Sequence, residues 1–190
     1  MRSRFNTSLR RTDHGRLERS RLARTGILLT TLLACSSGGA AAQTEAPLVA
    51  GWIENVRVSP GNFVVKAKLD TGARTSSMDA QNIQLYERDG EAWVSFDFAN
   101  NDGTSIFVDR PIIRVARIKD LTGPTQERPV IELGICIANV YRIAEITLFD
   151  RSGFNYRLLL GRNFLRLAAI TVDPAKTQTQ KPHCTRPAMP

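Results

Sequence analysis

Asp70 is the residue whose surroundings best suit chemistry. It stands in Lys68-Leu69-Asp70-Thr71-Gly72-Ala73, where the apolar, strand-like run 64–69 stops at a glycine turn. A carboxylate at such a junction is held at the rim of a core by backbone groups. Gly72 lets backbone approach closely, and the Thr71 hydroxyl can tie the loop to a neighbour. Taken alone, the tetrapeptide is also an ordinary turn. Its weight comes from what surrounds it. The only histidines are His14 and His183, near the two ends of the chain. The stretch between them cannot supply a Ser-His-Asp triad, a Cys-His dyad or a histidine-ligated zinc site. It has no glycine-rich phosphate loop either. Acid–base work therefore falls to carboxylates, and neither a metal nor another cofactor is expected. Arg74 either faces the cleft and favours an acidic substrate or lies on its rim.

The elements that would position Asp70 read as strands. Runs 64–69, 92–98, 130–137 and 141–148 are apolar or alternate, and Arg88-Asp89-Gly90, Asn101-Asp102-Gly103 and Arg151-Ser152-Gly153 supply turns between segments. Short strands at close spacing, with no long helical period, predict an all-β closed barrel or sandwich. Only residues 163–167 read as a short helix. Residues 119–129 hold Gly123-Pro124 and read as a loop or hairpin tip. Residues 43–49 read as a linker, 50–174 as the folded domain, and the proline-bearing 175–190 as a disordered tail. Cys136 and Cys184 read as one buried and one loose thiol, although an oxidising compartment would permit their pairing.

The chain has 190 residues, 42% of them hydrophobic and 23% charged, enough for one core, with a formal net charge of +8. Of that charge, +6 belongs to residues 1–25, which carry eight arginines against Asp13 and Glu18; the rest carries only +2. A nucleic-acid partner is therefore disfavoured. The arginine-rich start, the apolar stretch Gly26–Ala34 and the small residues that follow have the order of an export signal over 1–42. Cleavage after Ala40-Ala41-Ala42 predicts a periplasmic or secreted protein. The competing Leu32-Leu33-Ala34-Cys35 would lipidate Cys35 and anchor the protein in the envelope, the one route to a membrane. No apolar run reaches the roughly 20 residues of a transmembrane helix.

A second motif, Leu158-Leu159-Leu160-Gly161-Arg162-Asn163, follows Asp70 far along the chain. Together with Leu69-Asp70-Thr71-Gly72-Ala73 it resembles the retropepsin fold of aspartic proteases. There the Asp-Thr-Gly loop supplies the catalytic acid, and an apolar-Gly-Arg-Asn segment passes behind it into a short helix. Gly51-Trp52, Lys66 through Ser77, Arg128-Pro129-Val130, Leu159-Leu160-Gly161-Arg162 and Val172-Asp173-Pro174 are together similar to one bacterial retropepsin-like family, often labelled ATP-dependent zinc protease. The likeness covers about residues 50–175. It implies a closed β-barrel with one short C-terminal helix, with Asp70 catalytic and Thr71, Gly72 and Ala73 supporting its loop. Leu159, Leu160, Gly161 and Arg162 would lie behind the loop, with Arg162 in structural ion pairs. Residues 119–127 would form a flap, with Thr122 and Gly123 touching substrate. Two departures stand out. Met78-Asp79-Ala80 replaces a usual Leu-His-Ala, and Asp120-Leu121-Thr122-Gly123 replaces a usual Ser-Ser-Gly. The first removes the one histidine that could justify a zinc label. The family is also often encoded near ATP-grasp peptide ligases.

Aspartic protease chemistry needs two carboxylates about 3 Å apart sharing one proton. This chain has one Asp-Thr-Gly; Asp79 and Asp109 lie in different contexts. The resemblance therefore implies a homodimer with one Asp70 from each copy at a twofold axis, and a peptide or protein substrate. The alternatives are a non-catalytic exported barrel that binds peptides by strand addition and a lipid-anchored structural lipoprotein.

Overall fold

The computed structural model describes residues 46–100, 102–119 and 123–185. The export signal, Cys35 and Thr122 lie outside them.

Alternation decides the strands. In β2 (Phe63–Leu69) Val65, Ala67 and Leu69 are buried, while Val64 and Lys66 face outward, the two-residue period of a half-buried strand. β1 (Leu48–Ser59) pairs antiparallel with β2 and, at its far end, with β8 (Gln126–Ile137). From β2 the sheet continues through the parallel β10 (Leu158–Leu160) and then β3 (Ser76–Asp79). It returns by β9 (Val140–Phe149) to β8. The β1–β8 pairing closes these six strands into a barrel. Val56, Val65, Met78, Ile131, Ile146 and Leu158 fill it, each at most 1% exposed. β7 (Arg114–Ile118) extends β8 and β11 (Ile170–Thr177) extends β1. A separate sheet of β4 (Gln81–Arg88), β5 (Glu91–Ala99) and β6 (Ser105–Pro111) adds Val94, Phe96, Phe98 and Val108 to the same core. The β4–β5 turn is Asp89-Gly90, both at positive φ, as a tight two-residue hairpin requires. α1 (Arg162–Leu167) is the one helix among the described residues. The expected all-β closed barrel with a short C-terminal helix is thus what the chain forms.

The ends differ from expectation. Leu48 and Val49, read as linker, pair with Ile170 and Thr171 as the start of β1. Residues 126–129, read as loop, already belong to β8. The segment read as a disordered tail is ordered as far as it is described: 175–177 complete β11, and the residues after them are strapped to the barrel. Glu54, fully buried on β1, accepts hydrogen bonds from Thr179 N–H (3.1 Å), the Thr179 hydroxyl (2.5 Å) and Gln180 N–H (3.0 Å). Arg57 donates to the Pro182 carbonyl (2.8 Å), and His183 N–H to that of Ala138 (2.7 Å). Cys136 and Cys184 form a disulfide, not two free thiols. Buried acceptors and a covalent bond hold the described part of this segment in place.

A disulfide spanning 48 residues stabilises by about 4 kcal/mol on the loop-entropy scale. Cys184→Ser is therefore expected to lower Tm by about 10 °C, at roughly 2–4 °C per kcal/mol for a chain of this size. Reductant should lower the wild-type Tm by a similar amount and leave the variant unmoved in a thermal melt. Equal melting with and without reductant would mean that the bond contributes nothing.

Candidate active site

Asp70 follows the last residue of β2, and its N–H donates to the Leu160 carbonyl of β10 (2.9 Å). Its side chain turns back on its own loop. Oδ1 accepts from Gly72 N–H (2.9 Å) and Ala73 N–H (3.2 Å). Oδ2 meets Lys68 Nζ at 3.0 Å. Strand periodicity explains this partner: Asp70, just past the end of β2, continues its alternation, so Lys68 and Asp70 share the face opposite Ala67 and Leu69. The Lys68 ammonium foremost, then the Gly72 and Ala73 N–H groups, hold the Asp70 carboxyl below the usual aspartate range, against an opposing push from partial burial.

The second motif lies directly behind the loop. A Cβ added at Gly161 would come 2.5 Å from the Thr75 carbonyl oxygen, so only glycine lets the two segments meet. Gly161 N–H donates to Ser76 Oγ (3.0 Å), which donates to Asn163 Oδ1 (2.7 Å). Arg162 N–H donates to the Ala73 carbonyl (2.9 Å). The Arg162 guanidinium donates to the carbonyls of Thr71 (2.8 Å) and Gly72 (2.9 Å). Arg162 thus holds the loop through carbonyl oxygens. Leu158 and Leu160 are buried, and Leu159 faces the cleft.

Asp70 opens onto a cavity of about 470 Å³ lined by Trp52, Lys68, Arg151, Phe154, Asn155, Tyr156 and Leu159. Among these described residues Asp70 is the only carboxylate. Trp52 is a wall of the cavity and meets Tyr156 edge-on at 6.1 Å between ring centres. Arg151, read only as part of a turn, is 7% exposed. Its guanidinium donates to Ser77 Oγ (2.9 Å) and the Tyr156 carbonyl (3.1 Å). Burial pushes it below the usual arginine range, and the charge of Asp79 opposes that push.

Asp79 organises this wall. Its side chain is 1% exposed and ion-paired with Arg157. Its Oδ1 accepts from Arg151 N–H (2.6 Å) and Gln81 Nε2 (2.9 Å). Position 79 thus holds a buried carboxylate that pins residues 151–157. Asp109 lies away on the three-stranded sheet, bonded to Tyr86 and Arg88. Thr71, Gly72 and Arg74 are exposed. Neither Arg74 nor Gly123 lines the Asp70 cavity; Gly123 belongs to the connection between β7 and β8. Among the described residues no group of three or more His, Cys, Asp or Glu is arranged to hold a metal.

The comparisons with known proteins agree with this geometry. The model of a family described as RimB-like, retropepsin-like aspartic endopeptidase RimB, matches residues 49–183. A probable alpha-L-glutamate ligase of Desulfotalea psychrophila is 37% identical over 114 residues, covering 58% of this chain and 24% of that protein. One of Shewanella pealeana is 34% identical over 116 residues, covering 60% and 25%. The chain therefore spans about a quarter of the length of these curated relatives. The crystal structure of a Legionella pneumophila protein of unknown function is 30% identical, with a TM-score of 0.63, covering 70% of this chain and 98% of that one.

Proposed function

We propose that this chain, which belongs to the RimB-like family of retropepsin-like aspartic endopeptidases, is itself an aspartic endopeptidase working as a homodimer. The observation that carries the reading is a single carboxylate, Asp70, fixed by backbone N–H groups on an exposed loop, with no second carboxylate among the described residues that line its cavity. A twofold axis beside that loop would bring in the partner's Asp70, and the exposed Thr71 would bond across to the partner loop. The pair shares one proton, because like charges so close cannot both ionise. The ionised member takes a proton from water while the oxygen of that water attacks the scissile carbonyl carbon. The protonated member hydrogen-bonds the carbonyl oxygen as charge develops on it. Collapse of the tetrahedral intermediate breaks the C–N bond, and the proton taken from water passes to the leaving nitrogen. The dyad titrates as a unit.

The substrate best suited to the cavity is an acidic peptide. Lys68 and Arg151 put two cations beside Asp70, and relatives are named for joining glutamate. The signal-like leader and the Cys136–Cys184 disulfide support an exported protein, since disulfides persist in oxidising compartments. The test incubates the purified protein with unfolded protein and with glutamate-containing peptides at mildly acidic pH, with and without a pepstatin-type inhibitor, and reads products by mass. Internal cleavage that the inhibitor blocks is expected. Peptide binding without any cleavage would favour the non-catalytic barrel instead.

A further inference from the structure

We propose that Lys68 is a working member of the site: its ammonium is the resident counter-ion of Asp70 and sets the pH range over which the paired carboxylates can share a proton. The inference rests on the reading of Asp70 as half of a dyad, and it adds a residue that this chemistry does not require.

The geometry argues for a built arrangement. The two oxygens of Asp70 have separate partners. Oδ1 is fixed by the N–H groups of Gly72 and Ala73, while Oδ2 carries the ammonium at 3.0 Å. The pairing is not a chance meeting of two surface side chains. Lys68, on β2, and Asp70, just past its end, share one face, with Ala67 and Leu69 anchoring the backbone in the core. The Lys68 side chain is 39% exposed and that of Asp70 23%, so both are partly withdrawn from water. Charge around Asp70 comes from several elements. β2 gives Lys68, the β9–β10 connection gives Arg151 backed by Asp79, and α1 gives Arg162 through the loop carbonyls. β1 and β10 contribute the uncharged Trp52 and Leu159, and the phenol of Tyr156 completes the wall. Of the charged side chains among the described residues, Lys68 is the one in direct contact with the carboxylate.

An opposite charge at this distance favours the ionised form. In a dyad with a Lys68 on each side, both macroscopic steps move down. The doubly protonated, inactive form then appears only at lower pH, and the doubly ionised, inactive form appears sooner as pH rises. The whole activity profile is displaced toward acid.

The test compares wild type with Lys68→Met and Lys68→Arg. The pH profile of kcat/KM on a cleaved peptide should move toward higher pH by about one unit in Lys68→Met and stay in place in Lys68→Arg. A profile that does not move in folded Lys68→Met overturns the proposal. A second readout needs no catalysis: titration of the Asp70 carboxyl carbon by NMR in the full chain, with Asp70→Asn identifying the signal. Its midpoint should rise in Lys68→Met by about one unit; an unchanged midpoint overturns the proposal. An inactive wild type with a shifted midpoint would sink the peptidase reading while upholding Lys68 as the counter-ion. If Lys68→Met does not fold, Lys68→Gln serves in both measurements.

Discussion

Asp70→Asn is expected to lower peptide hydrolysis by a factor of about 10²–10⁴, the usual worth of positioned acid–base catalysis, with little loss of stability. The asymmetry follows from what the substitution keeps. An asparagine carbonyl oxygen still accepts from Gly72 and Ala73 N–H, so the loop retains its shape. The ion pair with Lys68 is lost, but such partly exposed pairs contribute only about 0–1 kcal/mol. What disappears is the ability to take a proton from water. Thermal melting beside a cleavage assay separates the two effects. A variant as active as wild type would remove Asp70 from the mechanism. A variant that unfolds would make Asp70 a structural residue.

A clear loss of stability is expected from Asp79→Ala, about 1–3 kcal/mol, the cost of leaving buried donors without their acceptor, since Arg157 itself is one-third exposed. Asp79 is 1% exposed on its side chain, so its loss leaves the Arg157 guanidinium and the Arg151 N–H facing an empty site. The damage should be directional. Residues 151–157 carry Arg151, Phe154, Asn155 and Tyr156 to the cavity, so the substrate wall loosens while the Asp70 loop keeps its own bonds to β10 and α1. Denaturant unfolding should show the loss of stability, and the surviving activity should show a raised KM with a smaller change in kcat. A loss below about 1 kcal/mol would mean that the pair is solvated and the wall is held by something else.

The contrast between these two aspartates shows what was legible in the sequence. The loop that carries Asp70 was readable in part because its signal is local, an apolar strand ending in a glycine turn; that the distant Gly161 motif passes behind it came from the family resemblance. Three of the six barrel strands, β2, β8 and β9, were readable for the same local reason, since alternation is a property of neighbours in sequence; β1, β3 and β10 were not. Lys68 could have been read too, from the two-residue period of β2 alone. Asp79, Arg151 and Glu54 could not. Charged residues are exposed by default, and nothing near Glu54 in sequence announces Thr179 and Gln180, which satisfy it across the fold. The proline-bearing tail looked disordered because its order comes from that distant carboxylate and from Cys136, neither of which leaves a periodic trace. Arg151-Ser152-Gly153 is a turn as read, yet its first residue is drawn inward by Asp79, Ser77 and Tyr156.

The central claim is that one Asp70 is half of a site. Subunit mixing tests it most directly: inactive Asp70→Asn protein is mixed with wild type in rising proportion at fixed total concentration, after exchange of protomers, and the cleavage rate is measured. If both carboxylates are required, mixed dimers are dead and the rate falls as the square of the wild-type fraction. A rate that falls only in proportion to that fraction would show that each chain works alone, and would contradict the account.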